Sequence, residues 1–335
     1  MINISVVIPT CNRKQRLLSL LKNLNDSLYP LQEVIIVDSG EDRIGEHEYE
    51  IFENLPVSYI DSKKSVCIQR NKGIALAKSE WIFLCDDDIE VPADYIEKLA
   101  NYINSSQQTI CVSGLFLQKE KNEWLAKYNI SSAKALLWNY IFKLSIWGEI
   151  NSKDNILTKG IKKYYKQKGN HISKAGWPVI TDFTGDHFIT PLYSLGASLV
   201  QKNWLGNSPF AEILDRHGIG EHYGVIAGFP SPEIHVLNYT FVRHHHEETN
   251  RLQKALQYYR RALALDYFSR VKRNLSHVKK SWLLWSLFGN LLVFLFRLNG
   301  RMIKASFKLM FVIGLNKNPY CIAAKKSEKV KEPTI

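Results

Sequence analysis

Residues 4–8 form a short β-branched run that stops at Pro9. Beyond it Leu17, Leu21, Leu24 and Leu28 recur at helical spacing, after an Asn12 that suits a helix cap, so the chain opens as strand, turn and helix. A second apolar run at 34–37 halts at Asp38-Ser39-Gly40, and a third candidate strand covers 57–60. Helical spacing returns over 66–77. The buried-looking run 81–85 then leads straight into Asp86-Asp87-Asp88, with Pro92 placed to open another helix. Alternation of this kind predicts an α/β domain on a mostly parallel sheet flanked by helices. Such sheets bind ligands beyond the carboxyl ends of their strands, and three strands here end in polar loops: Pro9-Thr10, Asp38-Ser39-Gly40 and the aspartate triplet.

Residues 120–175 carry aromatic and Lys-rich pieces without a clean period and are expected to be an insertion or acceptor-side region. From residue 251, Leu252, Leu256, Tyr259, Leu263 and Tyr267 repeat at three or four residues, giving an amphipathic helix that leads into apolar segments at 282–296 and 302–315. Charge sharpens this picture. The net charge is +12, and residues 251–335 hold 18 Lys and Arg against 3 Asp and Glu, so the body is near neutral and the tail basic. Basic charge around Trp, Leu and Phe predicts C-terminal helices over 249–320 that lie in the plane of an anionic membrane surface, because each apolar run falls short of the ~20 residues a spanning helix needs. Residues 321–335 read as a disordered tail. No nucleic-acid reading motif accompanies the basic segment, which excludes nucleic acid as a partner. The first residues show no basic flank, long apolar stretch or cleavage site, so a cytoplasmic enzyme attached peripherally to the inner face of the cell membrane is expected. Five scattered cysteines in no paired spacing read as reduced thiols.

Three consecutive carboxylates at a strand end repel one another unless something neutralises them, and a hard divalent cation does so readily. Strand alternation would let Asp86 and Asp88 point one way and Asp87 another. The triplet has company. Val6-Val7-Ile8-Pro9-Thr10-Cys11-Asn12-Arg13, Ile36-Val37-Asp38-Ser39, Arg70-Asn71-Lys72-Gly73-Ile74 and Phe83-Leu84-Cys85-Asp86-Asp87-Asp88 resemble, in order, the signatures of family-2 glycosyltransferases. The resemblance covers residues 3–116 and fades through 117–190. It implies the GT-A fold over residues 1–248, a nucleotide-sugar donor with a UDP-sugar favoured, and Mn²⁺ or Mg²⁺. By the same resemblance Pro9, Thr10, Arg13, Asp38, Ser39, Arg70, Asn71, Asp86 and Asp87 would bind the donor, and Asp86 and Asp88 would hold the metal.

Further on, Gly220-Glu221-His222-Tyr223-Gly224 stands where family members commonly carry a Glu-Asp pair whose carboxylate deprotonates the acceptor. Here the pair is Glu-His, so Glu221 or His222 is the candidate base. Three adjacent histidines, His244, His245 and His246, offer imidazole to the metal, with His244 and His246 sharing a face on a strand. The reading is a metal-dependent, inverting transfer to a glycan or lipid-linked acceptor in cell-surface polysaccharide synthesis. The rival is a catalytically inactive GT-A scaffold of a polysaccharide-assembly complex. A sugar nucleotidyltransferase is set aside because residues 9–16 lack a Gly-rich phosphate loop.

Overall fold

The computed structural model describes residues 1–106, 108–120, 122–206, 208–214, 217–245, 252–326 and 333–334. Its first part alternates as the apolar runs predict: β1 (Ile4–Thr10), α1 (Lys14–Asn25), β2 (Glu33–Asp38), the single turn α2 (Glu46–Tyr49), β3 (Val57–Asp61), α3 (Val66–Leu76) and β4 (Trp81–Cys85). There follow β5 (Ile89–Glu90), α4 (Tyr95–Ser105) and β6 (Cys111–Glu120), then β7 (Glu123–Leu125), β8 (Tyr128–Ile130), α5 (Ala133–Phe142), β9 (Ile146–Ile150), α6 (Ile156–Lys168), β10 (His171–Ile172) and β11 (Pro178–Ile180). The chain continues through β12 (His187–Thr190), β13 (Ala197–Gln201), α7 (Lys202–Leu205), α8 (Glu221–Ile226) and β14 (Ile234–His244), and closes with α9 (Lys254–Val271), α10 (Lys280–Phe296), α11 (Gly300–Gly314) and α12 (Pro319–Lys326).

The main sheet runs β12-β14-β6-β13-β4-β1-β2-β3, with β5 added to β14 and β7 to β6. Strands β4, β1, β2 and β3 are mutually parallel. β13 lies antiparallel between β4 and β6, pairing Ala197 with Cys85 and Ser198 with Ser113. Covered on both faces, β1 and β2 bury every residue, which is why they read as unbroken apolar runs rather than alternating ones. Ser5, fully buried in β1, is satisfied by donating to Glu33 Oε1 at 2.7 Å while accepting from the Ser79 amide. Helix α3 packs on β1 and β2. A Cβ on Gly73 would stand 2.4 Å from Val7 Cγ1, so the glycine of the third signature sets the close approach that brings Gln69 and Arg70 over the strand ends.

Several local expectations are corrected. Asn12 does not cap α1; it sits at φ 55 and accepts the Glu41 and Asp42 amides, while Arg13 takes the cap position. Leu28 falls beyond the helix and is exposed. Residues 120–175 are not irregular: with 178–180 they build a second sheet, β10-β11-β9-β8, against α5 and α6, around Leu136, Ile146, Ile161, Tyr165 and Val179. Strands of two to five residues are too short to show a period. Helix α9 is part of the main body of the fold. It buries Tyr259, Leu263, Leu265 and Phe268 in the same core as the main sheet and touches α8, α11 and α12. The tail expected to lack structure from residue 321 is helical through Lys326, held by the buried Tyr320 and Ala323.

Candidate active site

Pro9, Thr10, Arg13, Ser39, Arg70 and all three aspartates line one cleft of about 350 Å³ at the carboxyl ends of β1, β2 and β4. Gln69, one residue before Arg70 and buried, donates to the Thr10 carbonyl at 2.7 Å and the Val37 carbonyl at 2.8 Å, tying the ends of β1 and β2 together. Ser39 Oγ is buried in the cleft wall with no hydrogen-bond partner among the described residues, a hydroxyl left for a polar ligand.

β4 ends at Cys85, so the two-residue alternation no longer governs the triplet and all three carboxylates face the cleft. Asp87 accepts from Thr10 Oγ1 at 2.8 Å and Arg13 Nη1 at 2.7 Å. The same Arg13 nitrogen reaches Asp88 Oδ2 at 3.1 Å, and His244 Nε2 lies 3.2 Å from Asp88 Oδ1. Burial, reinforced by the neighbouring Asp88, pushes Asp87 up to about 6 even though Arg13 and Thr10 pull the other way. Asp86 is held by Arg70 at 2.5 Å and by its own amide on the Gly196 carbonyl. A Cβ on Gly196 would fall 2.0 Å from Asp86 Oδ2, so only glycine leaves room for that carboxylate.

Arg70 is the hinge of the site. Fully buried, it bonds Asp86 on one side and Glu221 Oε1 at 2.9 Å on the other, with its guanidinium 5.1 Å from the centre of the Phe210 ring. Burial disfavours its charge, but Asp86 and Glu221 outweigh burial and raise its pKa. Glu221, the first residue of α8, also borders a second cavity of about 590 Å³, walled by Tyr128, Trp147, Trp177 and Tyr193 among others. His217, Ile219, Glu221 and Arg261 line both spaces, so an acidic and a basic side chain stand where the two meet. Burial depresses the pKa of Arg261, partly opposed by Glu221, and the guanidinium makes no ion pair among the described residues. His222 lies in the larger cavity, its pKa lowered first by burial. The Leu195 amide points at its Nδ1 at 3.4 Å, and its Nε2 is 3.5 Å from Glu221 Oε1.

The profile of Glycosyl transferase family 2 matches residues 5–171. The chain belongs to that family. An uncharacterized glycosyltransferase of Bacillus subtilis, YwdF, is 31% identical over 122 residues, 36% of this chain and 45% of that protein. The putative teichuronic acid biosynthesis glycosyltransferase TuaG of the same organism is 24% identical over 149 residues, 43% of this chain and 59% of that protein. The chain thus spans about half the length of the curated relatives it matches. A crystal structure of S. aureus TarS 1-349 in complex with UDP-GlcNAc superposes with a TM-score of 0.52 at 11% identity, covering 97% of this chain and 92% of that one, a likeness of fold.

Not every residue drawn from the family 2 signatures faces the cleft. Asp38 is buried at the end of β2, where its carboxylate accepts from the Gly40 amide and the Tyr59 hydroxyl; Ser39 lines the cleft instead. Asn71 does not line the cleft. Its amide nitrogen donates to the Phe210 carbonyl and Glu212, and its oxygen accepts from the Phe210 amide, so it fixes the loop whose ring covers Arg70. His244 reaches the triplet, whereas His245 turns to Glu90 and the Trp124 ring. His246 lies outside the described residues. Sequence reasoning missed Gln69, Lys64, His217, Gln257 and Arg261, which also line the cleft or clamp it. A buried glutamine beside the signature arginine was the only local signal among them.

Proposed function

We propose that this chain transfers a glycosyl group from a nucleoside-diphosphate sugar, a UDP-sugar by preference, to a hydroxyl of a glycan or lipid-linked acceptor in cell-surface polysaccharide synthesis. The observation that carries the reading is the meeting of two cavities at Glu221: a cleft lined by arginines and aspartates, and a larger one walled by aromatic rings. Polar and charged groups suit a nucleotide diphosphate, and aromatic faces suit the apolar faces of sugar rings. The relative named for teichuronic acid biosynthesis and the fold shared with a UDP-GlcNAc-bound protein agree with it.

Arg13, Arg70 and Arg261 supply positive charge to the diphosphate; Arg261 forms no ion pair among the described residues, although Glu221 is near enough to favour its charge. Arg70 occupies only Oε1 of Glu221; Oε2 makes no hydrogen bond among the described residues and is available to accept the acceptor's proton. His222 serves as support rather than as base, because its Nδ1 lone pair is turned to the Leu195 amide. One face for the donor and another for the acceptor fit a single in-line displacement with inversion. A divalent cation, Mn²⁺ or Mg²⁺, fits the Asp88 and His244 pair: one carboxylate oxygen and one imidazole border the cleft, and such ions draw their remaining ligands from phosphate and water. Among the described residues no group of three or more His, Cys, Asp or Glu is arranged to hold a metal ion by itself, so a bound diphosphate would supply further ligands. The cation would offset charge on the leaving diphosphate. The test is a panel of nucleotide sugars, each with and without Mn²⁺, read by thermal stabilisation and by release of nucleotide diphosphate. One donor should stabilise the protein and turn over. Absence of turnover with every donor would favour the inactive-scaffold reading.

We also infer attachment to an anionic membrane through α10 and α11. Among the described residues no helix is long and apolar enough to cross a bilayer. Phe296, Leu298, Phe307 and Phe311 are nonetheless each more than half exposed, and Arg297, Arg301, Lys304 and Lys308 flank them. Side chains of this kind lie at headgroup level. Full-length protein should float with liposomes containing anionic lipid and partly dissociate at high salt, while Phe296→Ser/Phe307→Ser/Phe311→Ser protein should remain at the bottom of the gradient. Equal flotation of the two would remove the inference.

A further inference from the structure

A third cavity, of about 200 Å³, lies in the 120–180 region away from the two already described. Lys143, Lys168, Lys174, His171, Tyr164 and Trp282 line it, and no Asp or Glu does. None of the three lysines forms an ion pair among the described residues. Lys143 follows α5 in a left-handed conformation, φ 53, which turns the chain into the pocket wall. Its Nζ stands 4.0 Å from the centre of the Tyr140 ring, 5.9 Å from Tyr164 and 6.0 Å from Trp282, so aromatic faces rather than a carboxylate hold this cation. Burial, then Lys174 and Lys168, depress its pKa; burial depresses that of His171 too, the Gly169 carbonyl pulls the other way, and Lys168, His277 and Lys143 add to the depression as like charges. Cations gathered this closely without a counter-charge leave a place for an anion.

The surroundings indicate what carries that anion. Trp282 sits on α10, and one turn further Trp285 stacks on Phe142 at 4.9 Å and donates its indole N–H to the Ile141 carbonyl at 3.0 Å. Trp285 and Ile141 are 41% and 43% exposed, an apolar shelf beside a basic pocket. Phosphate attached to an apolar chain matches both halves, whereas a free phosphate would leave the shelf unused. We propose that this pocket binds the phosphate headgroup of an anionic lipid whose chains lie along Ile141 and Trp285. The source of the phosphate rests on membrane contact by α10; the anion site itself does not.

Calorimetric titration of the full chain with short-chain phosphatidic acid, kept below its micelle concentration, tests the proposal without a membrane. Saturable binding is expected, with none for short-chain phosphatidylcholine. Lys143→Gln/Lys168→Gln should weaken binding by roughly thirty-fold, two cations' worth, while Lys22→Gln/Lys78→Gln, exposed lysines outside the pocket and the α10–α11 face, should change it less than about twofold. Lys143→Arg/Lys168→Arg, which keeps the charges, should retain binding, and Lys174→Gln alone should weaken it should the double glutamine variant not fold. Unchanged affinity in the glutamine variants would overturn the site. Inorganic phosphate binding as tightly as the lipid, and lost in the same variants, would overturn the lipid as its occupant. Vesicle flotation tests the α10–α11 face separately, because monomeric lipid needs no vesicle.

Discussion

Asp88→Asn protein is expected to lose metal-dependent transfer by roughly a thousandfold, because ~4 kcal/mol of the several that a cation contributes to stabilising leaving-group charge corresponds to that factor. Asp88 is the carboxylate that touches both Arg13 and His244, so it is where cation and diphosphate would be brought together. Its loss leaves Arg13 paired with Asp87, and the core beneath is untouched, which limits the stability cost to about 1–3 kcal/mol for a hydrogen-bonded charge. Initial rates across a Mn²⁺ series, with melting curves of both proteins, separate the two effects. Calorimetric Mn²⁺ binding in the presence of nucleotide diphosphate should weaken in parallel. An unaltered rate with an unaltered metal dependence would remove Asp88 from the site.

Glu221→Gln is expected to lower transfer by about 10²–10⁴-fold while donor binding persists, the range associated with losing a general base. The amide still accepts a hydrogen bond from Arg70, so the clamp between α3 and α8 survives. Replacing Glu221 by alanine would instead leave Arg70 with Asp86 alone and confound catalysis with packing. His222→Ala separates the remaining alternatives. A greater loss there than in Glu221→Gln, at saturating donor and acceptor, would transfer the base role to the imidazole despite its contact with the Leu195 amide.

The cleft at the strand ends was legible because parallel strands buried on both faces read as uninterrupted apolar runs, and polar residues follow where each run stops. β4 was readable to the residue, and with it the position of the triplet. Contacts that cross the chain were not readable. Arg70 and Glu221 are 151 positions apart, and neither the arginine nor the glutamate signals its partner locally. Arg261 was hidden for a different reason. Helix α9 shows leucines and tyrosines at amphipathic spacing, yet Ala262 and Ala264 are buried between them, so the helix is enclosed on most sides and its one cleft-facing arginine reads as ordinary surface charge. Asn71 belongs to a signature drawn from the donor site but acts through a loop over a hundred residues away, which spacing alone does not disclose.

The position of β13 bears on how this protein can be divided. The match to the family profile ends at residue 171, whereas the strand that joins β4 to β6 begins at Ala197. A fragment cut at the end of the matched region would leave the β4 edge, Trp81-Ile82-Phe83-Leu84-Cys85, without its antiparallel neighbour and separate β6 from the parallel half. An open apolar edge of that kind invites pairing with another chain. The smallest piece that joins β4 to β6 therefore extends past Gln201, one that also gives β6 its β14 neighbour extends through His244, and one that keeps Glu221 and Arg261 in the site extends through α9. Exchange of segments between relatives, in a laboratory or over generations, would conserve this unit only where the crossover falls after Val271.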